Sequence, residues 1–393
     1  MLSHASLFSQ MLSVVNRHHF EREVRRLNAE RHAKGFSCWS QFVAMMFCQL
    51  AQAKSLREII DGLACCEGKL RHLGLREGPK RATLSYANAR RPWQLYEALF
   101  YSVLGLAQSL APSKRFRFKN KLFSLDATVI ELCLSLFDWA KFRQTKGAIK
   151  LHVLLDHDGY LPVFAHLTEG ARHELALARA VHLPKGSIVV VDRGYIDYKL
   201  FAQWTDAGVY FVTRLKDNAD FGAYETRSQS LEGLIRSDQV GRLNFFMAGA
   251  WWRRDLRVVT VWDERHQCLI RLLTNHPGLA AKTIAAIYKE RWQIEIFFKT
   301  LKQNLKIKTF VGCSANAVRI QIWTALIALL LIKVLQLRST FGWALSNLLA
   351  LLRWNLFTYR DLWEWINRPF EVLPESPPQQ AELFNLDSNL APG

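Results

Sequence analysis

KTIAAIYKERWQIEIFFKTLKQNLK, residues 282–306, carries two patterns at once. On a helix of about 100° per residue with Tyr288 at 0°, Arg291 falls near 300°, Glu295 near 340° and Lys302 near 320°. Beside this polar row, Ile287, Ile294, Phe298, Leu301 and Leu305 form an apolar stripe at about 220–280°. Such a stripe docks on a sheet, and the row then lies half buried at the seam. Lys299 and Lys306 fall near 20° and about 0° and join it. The span 279–310 reads as one long helix or two. Arg291–Glu295 and Glu295–Lys299 are also ordinary i,i+4 pairs of exposed helices. The row alone therefore does not decide its use.

Upstream, PKGSIVVVDRGYIDYKLF (184–201) holds four apolar residues, Ile188 to Val191, ending at Asp192. Such a run suits a central strand buried on both faces. Asp192 then stands at its carboxyl end, where α/β sheets place their sites. Asp197 starts a helix, and YFVTRLK (210–216) supplies another strand. KLFSLDATVIEL (121–132) alternates, with Phe123, Leu125, Ala127 and Val129 on one face and Ser124, Asp126 and Thr128 on the other. GAIKLHVLLDHDGYLPVFAHL (147–167) reads as a hairpin turning at Asp158-Gly159. Three antiparallel strands in a row are thus predicted, and 216–275 reads as short strands with charged turns.

The spacing Tyr288-x2-Arg291-x3-Glu295-x6-Lys302 resembles the Y-(2)-R-(3)-E-(6)-K signature of IS4-type transposases, which are bacterial insertion-sequence enzymes. Asp126 in SLDAT and Asp192 in VVVDRGY look like the two aspartates of that family's DDE triad. The resemblance spans about 121–310. It implies an α/β fold: an RNase H-like mixed-sheet core with a β-rich insertion, preceded by an all-helical N-terminal domain. The domains it suggests are 1–115 (helical, basic, DNA-binding), 116–215 and 276–340 (two parts of the core), 216–275 (the insertion) and 341–393 (C-terminal helices and an acidic, Pro-containing tail). In one respect the chain departs: Ile270 in CLIRLLTN (268–275) stands near the place where some relatives carry a Trp.

The implied activity is metal-dependent strand cleavage at transposon ends and transfer into target DNA. Asp126, Asp192 and Glu295 would be both catalytic residues and metal ligands. Carboxylates without Cys or His select hard cations, so two Mg²⁺ ions are expected, with Mn²⁺ as a substitute. All three carboxyls are expected within ion-pair reach of one another. Tyr288, Arg291 and Lys302, aided by Lys299 and Lys306, would hold phosphates. A homodimer on double-stranded DNA follows from the need to hold two terminal inverted repeats. A nuclease of the same fold without strand transfer, and a catalytically silent DNA-binding regulator, are the alternatives.

Composition agrees. The chain has 393 residues, 50% apolar, which excludes disorder over most of its length. With 52 Lys+Arg against 34 Asp+Glu its formal charge is +18, which favours a polyanionic partner. Residues 1–121 hold 20 of the cations and 8 of the acids. Seven cysteines at irregular spacing, with no CxxC, argue against a disulfide framework or structural zinc. MLSHASLFSQ does not read as a secretory signal. The longest apolar run, Trp323 to Ile332, is shorter than the ~20 residues of a membrane span. The expected location is the bacterial cytoplasm, at the nucleoid.

GPKRATLSYANARRPW (78–93) is the candidate groove-binding element. Thr83 or Ser85 is expected to cap a helix stopped by Pro92. Lys80, Arg81, Arg90 and Arg91 would grip phosphates and Asn88 a base edge. A solvated charged face is the plainer reading. The Leu- and Trp-rich helices at 315–366 serve either as a dimer interface or as core.

Overall fold

The computed structural model describes residues 5–371 except 32, 66–68, 113–119, 134–136, 138, 140, 144–145, 170–173, 244–245, 248–249 and 252–253. The acidic tail beyond 371 lies outside the described residues.

Six helices come first: α1 (Leu7–Ser13), α2 (Arg17–Arg26), α3 (Cys38–Ala51), α4 (Leu56–Ala64), α5 (Arg81–Arg90) and α6 (Gln94–Leu110). Ser6, Asn16, Ser37 and Ser55 cap the first four, each side chain accepting an N–H three residues on. Helix α5 begins two residues before Thr83 and has no side-chain cap, so the expected caps at Thr83 and Ser85 are corrected: both lie inside the helix.

The sheet then builds from β1 (Leu122–Leu132), β2 (Lys141–Arg143), β3 (Lys146–Asp156) and β4 (Leu161–Glu169). After α7 (Glu174–Ala180) come β5 (Ile188–Val191), α8 (Tyr198–Asp206) and β6 (Tyr210–Arg214). Next are β7 (Phe221–Gln229), β8 (Ile235–Leu243), β9 (Phe246–Met247), β10 (Ala250–Trp251), β11 (Leu256–Asp263) and β12 (Cys268–Thr274). Helices α9 (Ala281–Glu290), α10 (Trp292–Asn304), α11 (Ala315–Arg338), α12 (Leu345–Trp354) and α13 (Leu362–Asn367) complete the chain.

One mixed sheet runs β2-β3-β1-β5-β6-β12-β11-β8-β7, with β4 on β3. Strands β4, β3 and β1 are antiparallel, and β1, β5 and β6 are parallel. Strand β5 is buried on both faces, as its unbroken Ile-Val-Val-Val run requires. Gly159, at φ +77°, makes the tight β3–β4 turn. Strands β7, β8, β11 and β12 of the 216–275 stretch join the same sheet through β12–β6 pairing, while β9 and β10, among the described residues, pair only with each other.

The two sheet faces bury different helices. Phe123, Leu125, Val189, Val191 and Phe211 face α7 and α8, through Ala178, Leu200, Phe201 and Trp204. Leu122, Ile188, Val190, Val212, Val259 and Leu272 face α9, through Ile284 and Ile287. Helices α3, α6, α10, α11 and α12 share one further core with Ile130, Ile149, Leu151 and Val153. Helix α11 is long and apolar enough to cross a membrane, yet 83% of that apolar window is buried inside the protein. It is the central helix of this core, so packing accounts for its composition.

One buried histidine makes the fold acid-sensitive. His152 on β3 is 1% exposed and shares a 2.9 Å hydrogen bond with Thr168 Oγ1. Burial, with help from His166 and Lys150, lowers its pKa to about 4. The folded value lies below the ordinary 6.5, so the unfolded chain binds the extra proton. This contribution is complete above about pH 6.5 and drains away as pH falls toward about 4. Its size is on the order of 3 kcal/mol. Urea unfolding at pH 7 and pH 5 should show the loss in the wild type. In His152→Gln the loss should shrink; an unchanged pH dependence would exclude His152 as its source.

Candidate active site

The β1–β5 register aligns Leu122 with Ile188, and so on to Leu125 with Val191. One step further in the same register are Asp126 and Asp192. Parallel neighbours lie about 4.8 Å apart, and paired residues point to the same face. That face belongs to Leu122 and Val190, hence to α9. Strand β5 stops at Val191, and Asp192 begins a 3-10 turn, Arg193–Tyr195. Strand β1 continues to Leu132. Both aspartates thus stand half buried where the parallel pairing ends, and the Asp126 carboxylate accepts the Ala127 N–H at 2.7 Å.

The third acid comes from across the seam. The 282–306 stretch is two helices, broken at Arg291 without Pro or Gly. The cause is docking: α9 packs Ile284 and Ile287 on the sheet, while α10 packs Ile294, Phe297, Phe298 and Leu301 into the helical core. A single continuous wheel with one stripe on the sheet is therefore corrected. The polar row survives the break in part. Arg291 lies over the Tyr288 ring at 5.8 Å and donates to Glu295 at 2.6 Å. Burial opposes the Arg291 charge, but the Glu295 bond, Tyr288 and Asp192 outweigh it and raise its pKa. The Tyr288 hydroxyl is pushed up by burial, with Asp192 adding to the rise against Arg291. Arg291 thus answers the charge of two of the three acids.

Lys302 lies further along α10. Its ammonium donates to the Val129 carbonyl at 2.8 Å, on the part of β1 that β5 no longer covers. Burial, then Lys308, lowers its pKa. Lys299 is exposed on α10. Lys306 lies beyond the end of α10, its N–H donated to Gln49 Oε1 at 2.8 Å. Its expected place on the helical row is corrected, because extended backbone at Leu305 ends the helix.

Among the described residues no group of three His, Cys, Asp or Glu side chains is arranged to hold a metal ion. The expectation of three carboxyls already within ion-pair reach is not met: Glu295 is engaged by Arg291. The donor chemistry still fits a hard divalent cation, because all three groups offer only oxygen.

Sequence reasoning missed a brace behind the site. Ser124, two residues before Asp126 on the same face, shares a 2.7 Å hydrogen bond with His157 Nε2. His157 Nδ1 lies 3.5 Å from Glu290, the last residue of α9. The Ser124–His157 bond ties β1 to the β3–β4 turn, and the imidazole stands beside the end of α9. An aspartate-rich turn sequence hides such a role for its histidine.

In the N-terminal part, Lys80, Arg81 and Arg90 are exposed. Asn88 is corrected: it is 1% exposed, and its amide faces inward to Gln41 and Met45, so it meets no base edge. Arg91 is half buried and donates to the Ser37 carbonyl at 2.8 Å and to the Phe36 carbonyl. Its guanidinium anchors the chain, which corrects its expected phosphate role.

A family model described as "Transposase DDE domain" matches residues 117–331, and one described as a domain of unknown function (DUF4372) matches residues 3–76. "Putative transposase y4zB" of Sinorhizobium fredii is 32% identical over 75% of this chain and 82% of its own length. "Probable transposase for insertion sequence element IS5377" of Geobacillus stearothermophilus is 29% identical over 56% of this chain and 58% of its own. "Putative transposase for insertion sequence element IS4SA" of a Synechocystis strain is 25% identical over 69% of this chain and 76% of its own. A solved piggyBac transposase synaptic complex with hairpin DNA overlays with a TM-score of 0.48 at 9% identity, covering 95% of this chain and 84% of that one. With half the chain under one family model and an RNase H-like mixed sheet beneath it, this chain belongs to the DDE transposase family, is of the IS4 insertion-sequence type, and is a DNA-binding transposase that depends on divalent metal.

Proposed function

We propose that Asp126, Asp192 and Glu295 are the catalytic triad and that the metal is Mg²⁺, bound as two ions. One observation supports the reading: the parallel β1–β5 register ends at Leu125 opposite Val191, one residue before each aspartate, beside sheet positions that pack against α9. Asp126, Asp192 and Glu295 would hold the metal through their carboxylate oxygens, Asp126 being the ligand shared between the two sites. When bound, such ions would supply activation of the attacking water or 3′-OH and charge stabilisation at the leaving oxygen.

The chain's own residues do the rest. Before metal and DNA arrive, Arg291 offsets the charge of Glu295 and Asp192. On engagement it turns to a DNA phosphate and frees Glu295. Tyr288 and Lys302 hold phosphates on either side, and exposed Lys299 extends the track. Lys302 has three donors and commits one to Val129, so two remain. The basic residues 1–115 hold the terminal inverted repeats. Residues 116–215 and 276–340 carry the chemistry, and 216–275 extend its sheet. Two ends require two copies, hence a homodimer on duplex DNA, acting on the cytoplasmic nucleoid.

A strand-transfer assay with a target plasmid tests the reaction: joined product is expected, and cleavage without joining would make the protein a nuclease. Lys302→Ala should lower transfer roughly ten- to a hundredfold, the value of one charge-assisted bond of about 1.5–3 kcal/mol. Wild-type transfer by this variant at moderate salt would remove Lys302 from the phosphate track.

A further inference from the structure

Helix α5 is held rigidly by one face and open on the other. Leu84, Ala87 and Asn88 are buried. Gln41 Nε2 donates to Asn88 Oδ1 at 2.8 Å. Asn316 on α11 donates to the Asn88 and Arg91 carbonyls at 2.8 and 2.7 Å, which satisfies acceptors at the helix end. The outward face recurs at helical spacing: Arg81, Ala82, Ser85, Tyr86, Ala89 and Arg90, all exposed. Tyr86 is 68% exposed, with Arg90 over its ring at 5.8 Å. Ala82, Ser85 and Ala89 leave the helix backbone open to close approach.

Charge and dimension indicate what this face meets. Among the described residues, no ion pair engages Arg57, Lys80, Arg81 or Arg90. At the start of α5, a cleft of about 350 Å³ is lined by Lys54, Arg57 and Arg81 with Phe310 and Val311. It continues the cationic surface toward the segment that follows α10. Arg81 and Arg90 are nine residues apart, about 13.5 Å along the axis. A B-DNA major groove is about 12 Å wide.

We infer that the outer face of α5 reads sequence in the major groove of the element's own terminal DNA, with Ser85 and Tyr86 at base edges and Arg81 and Arg90 on the flanking phosphates. The inference rests on the proposal that this transposase recognises its own ends, and it replaces Asn88 with Ser85 and Tyr86 as the reading residues. Backbone contacts set affinity, and base contacts set preference. The two pairs of residues must therefore fail differently.

The test is fluorescence anisotropy of the full chain at several KCl concentrations. The probes are a duplex of about 40 base pairs carrying the inverted repeat that flanks the gene, and a scrambled duplex of equal composition. Tyr86→Ala and Ser85→Ala should lose roughly ten- to a hundredfold in affinity for the end duplex and nothing for the scrambled one. Arg81→Ala and Arg90→Ala should weaken both alike and reduce the salt slope by about 1 each. All four side chains are exposed, so matching thermal melts should confirm intact folding. An end preference that survives in Tyr86→Ala and Ser85→Ala overturns the assignment of α5, as does equal loss on both duplexes. A wild type without any preference overturns end recognition itself, so the two failures are distinguishable.

Discussion

Asp126→Asn, Asp192→Asn and Glu295→Gln should each abolish strand cleavage, by a factor on the order of 1,000 or more, while duplex binding persists. A metal-bound oxygen contributes several kcal/mol of transition-state stabilisation, and each 1.36 kcal/mol is about tenfold in rate. An amide keeps the shape of the carboxyl but cannot hold a hard cation as an anion does. The fold should tolerate all three changes, because none of these acids is buried in the core. Glu295→Gln also frees Arg291 from its 2.6 Å ion pair. That variant should bind DNA at least as tightly as the wild type. The measurement is nicking of end-labelled terminal-repeat DNA with Mg²⁺, beside an electrophoretic shift. A purified variant that still nicks would remove its residue from the triad.

Much of this site was legible because local chemistry and tertiary structure agree there. The Ile188–Val191 run has no polar residue to place on a wet face, so it lies centrally and delivers Asp192 to a strand end. Alternation in 121–132 assigns Asp126 to one face, and pairing with β5 makes that the face shared with Asp192. The Asp158-Gly159 turn needed only local geometry. What escaped were properties set by neighbours. Two helices are one of the two readings of 279–310, but the place of the break, Arg291, has no sequence signal, because the two half-helices fill different cores. Asn88 is as polar as its neighbours, and only Gln41, 47 residues away, turns it inward. The composition of 315–366 left interface and core both open, and only packing shows α11 as the hub that joins the first helices to the sheet.

The largest loss of stability should follow Asp238→Ala. Arg257 on β11 and Asp238 on β8 form a two-pronged ion pair, Nε to Oδ1 at 2.7 Å and Nη2 to Oδ2 at 2.6 Å. Their side chains are 6% and 7% exposed. The third guanidinium nitrogen donates to the Leu279 carbonyl at 2.5 Å, just ahead of α9. This pair therefore joins the strands of the 216–275 stretch to the start of the signature helices. Removing one partner leaves a charge buried without its counter-ion, at a cost of about 3–5 kcal/mol. Against a typical total of about 5–15 kcal/mol, that is a large share. The double variant Asp238→Leu with Arg257→Met removes both charges and should recover most of the loss. Urea unfolding decides: a single-variant change below about 1 kcal/mol would mean that the pair is effectively solvent-screened. Neither residue belongs to the triad, so the folded fraction of Asp238→Ala should cleave at the wild-type rate below its melting temperature. A rate loss in fully folded protein would instead show that the anchor at Leu279 sets the position of α9, and through the break at Arg291 the aim of Glu295.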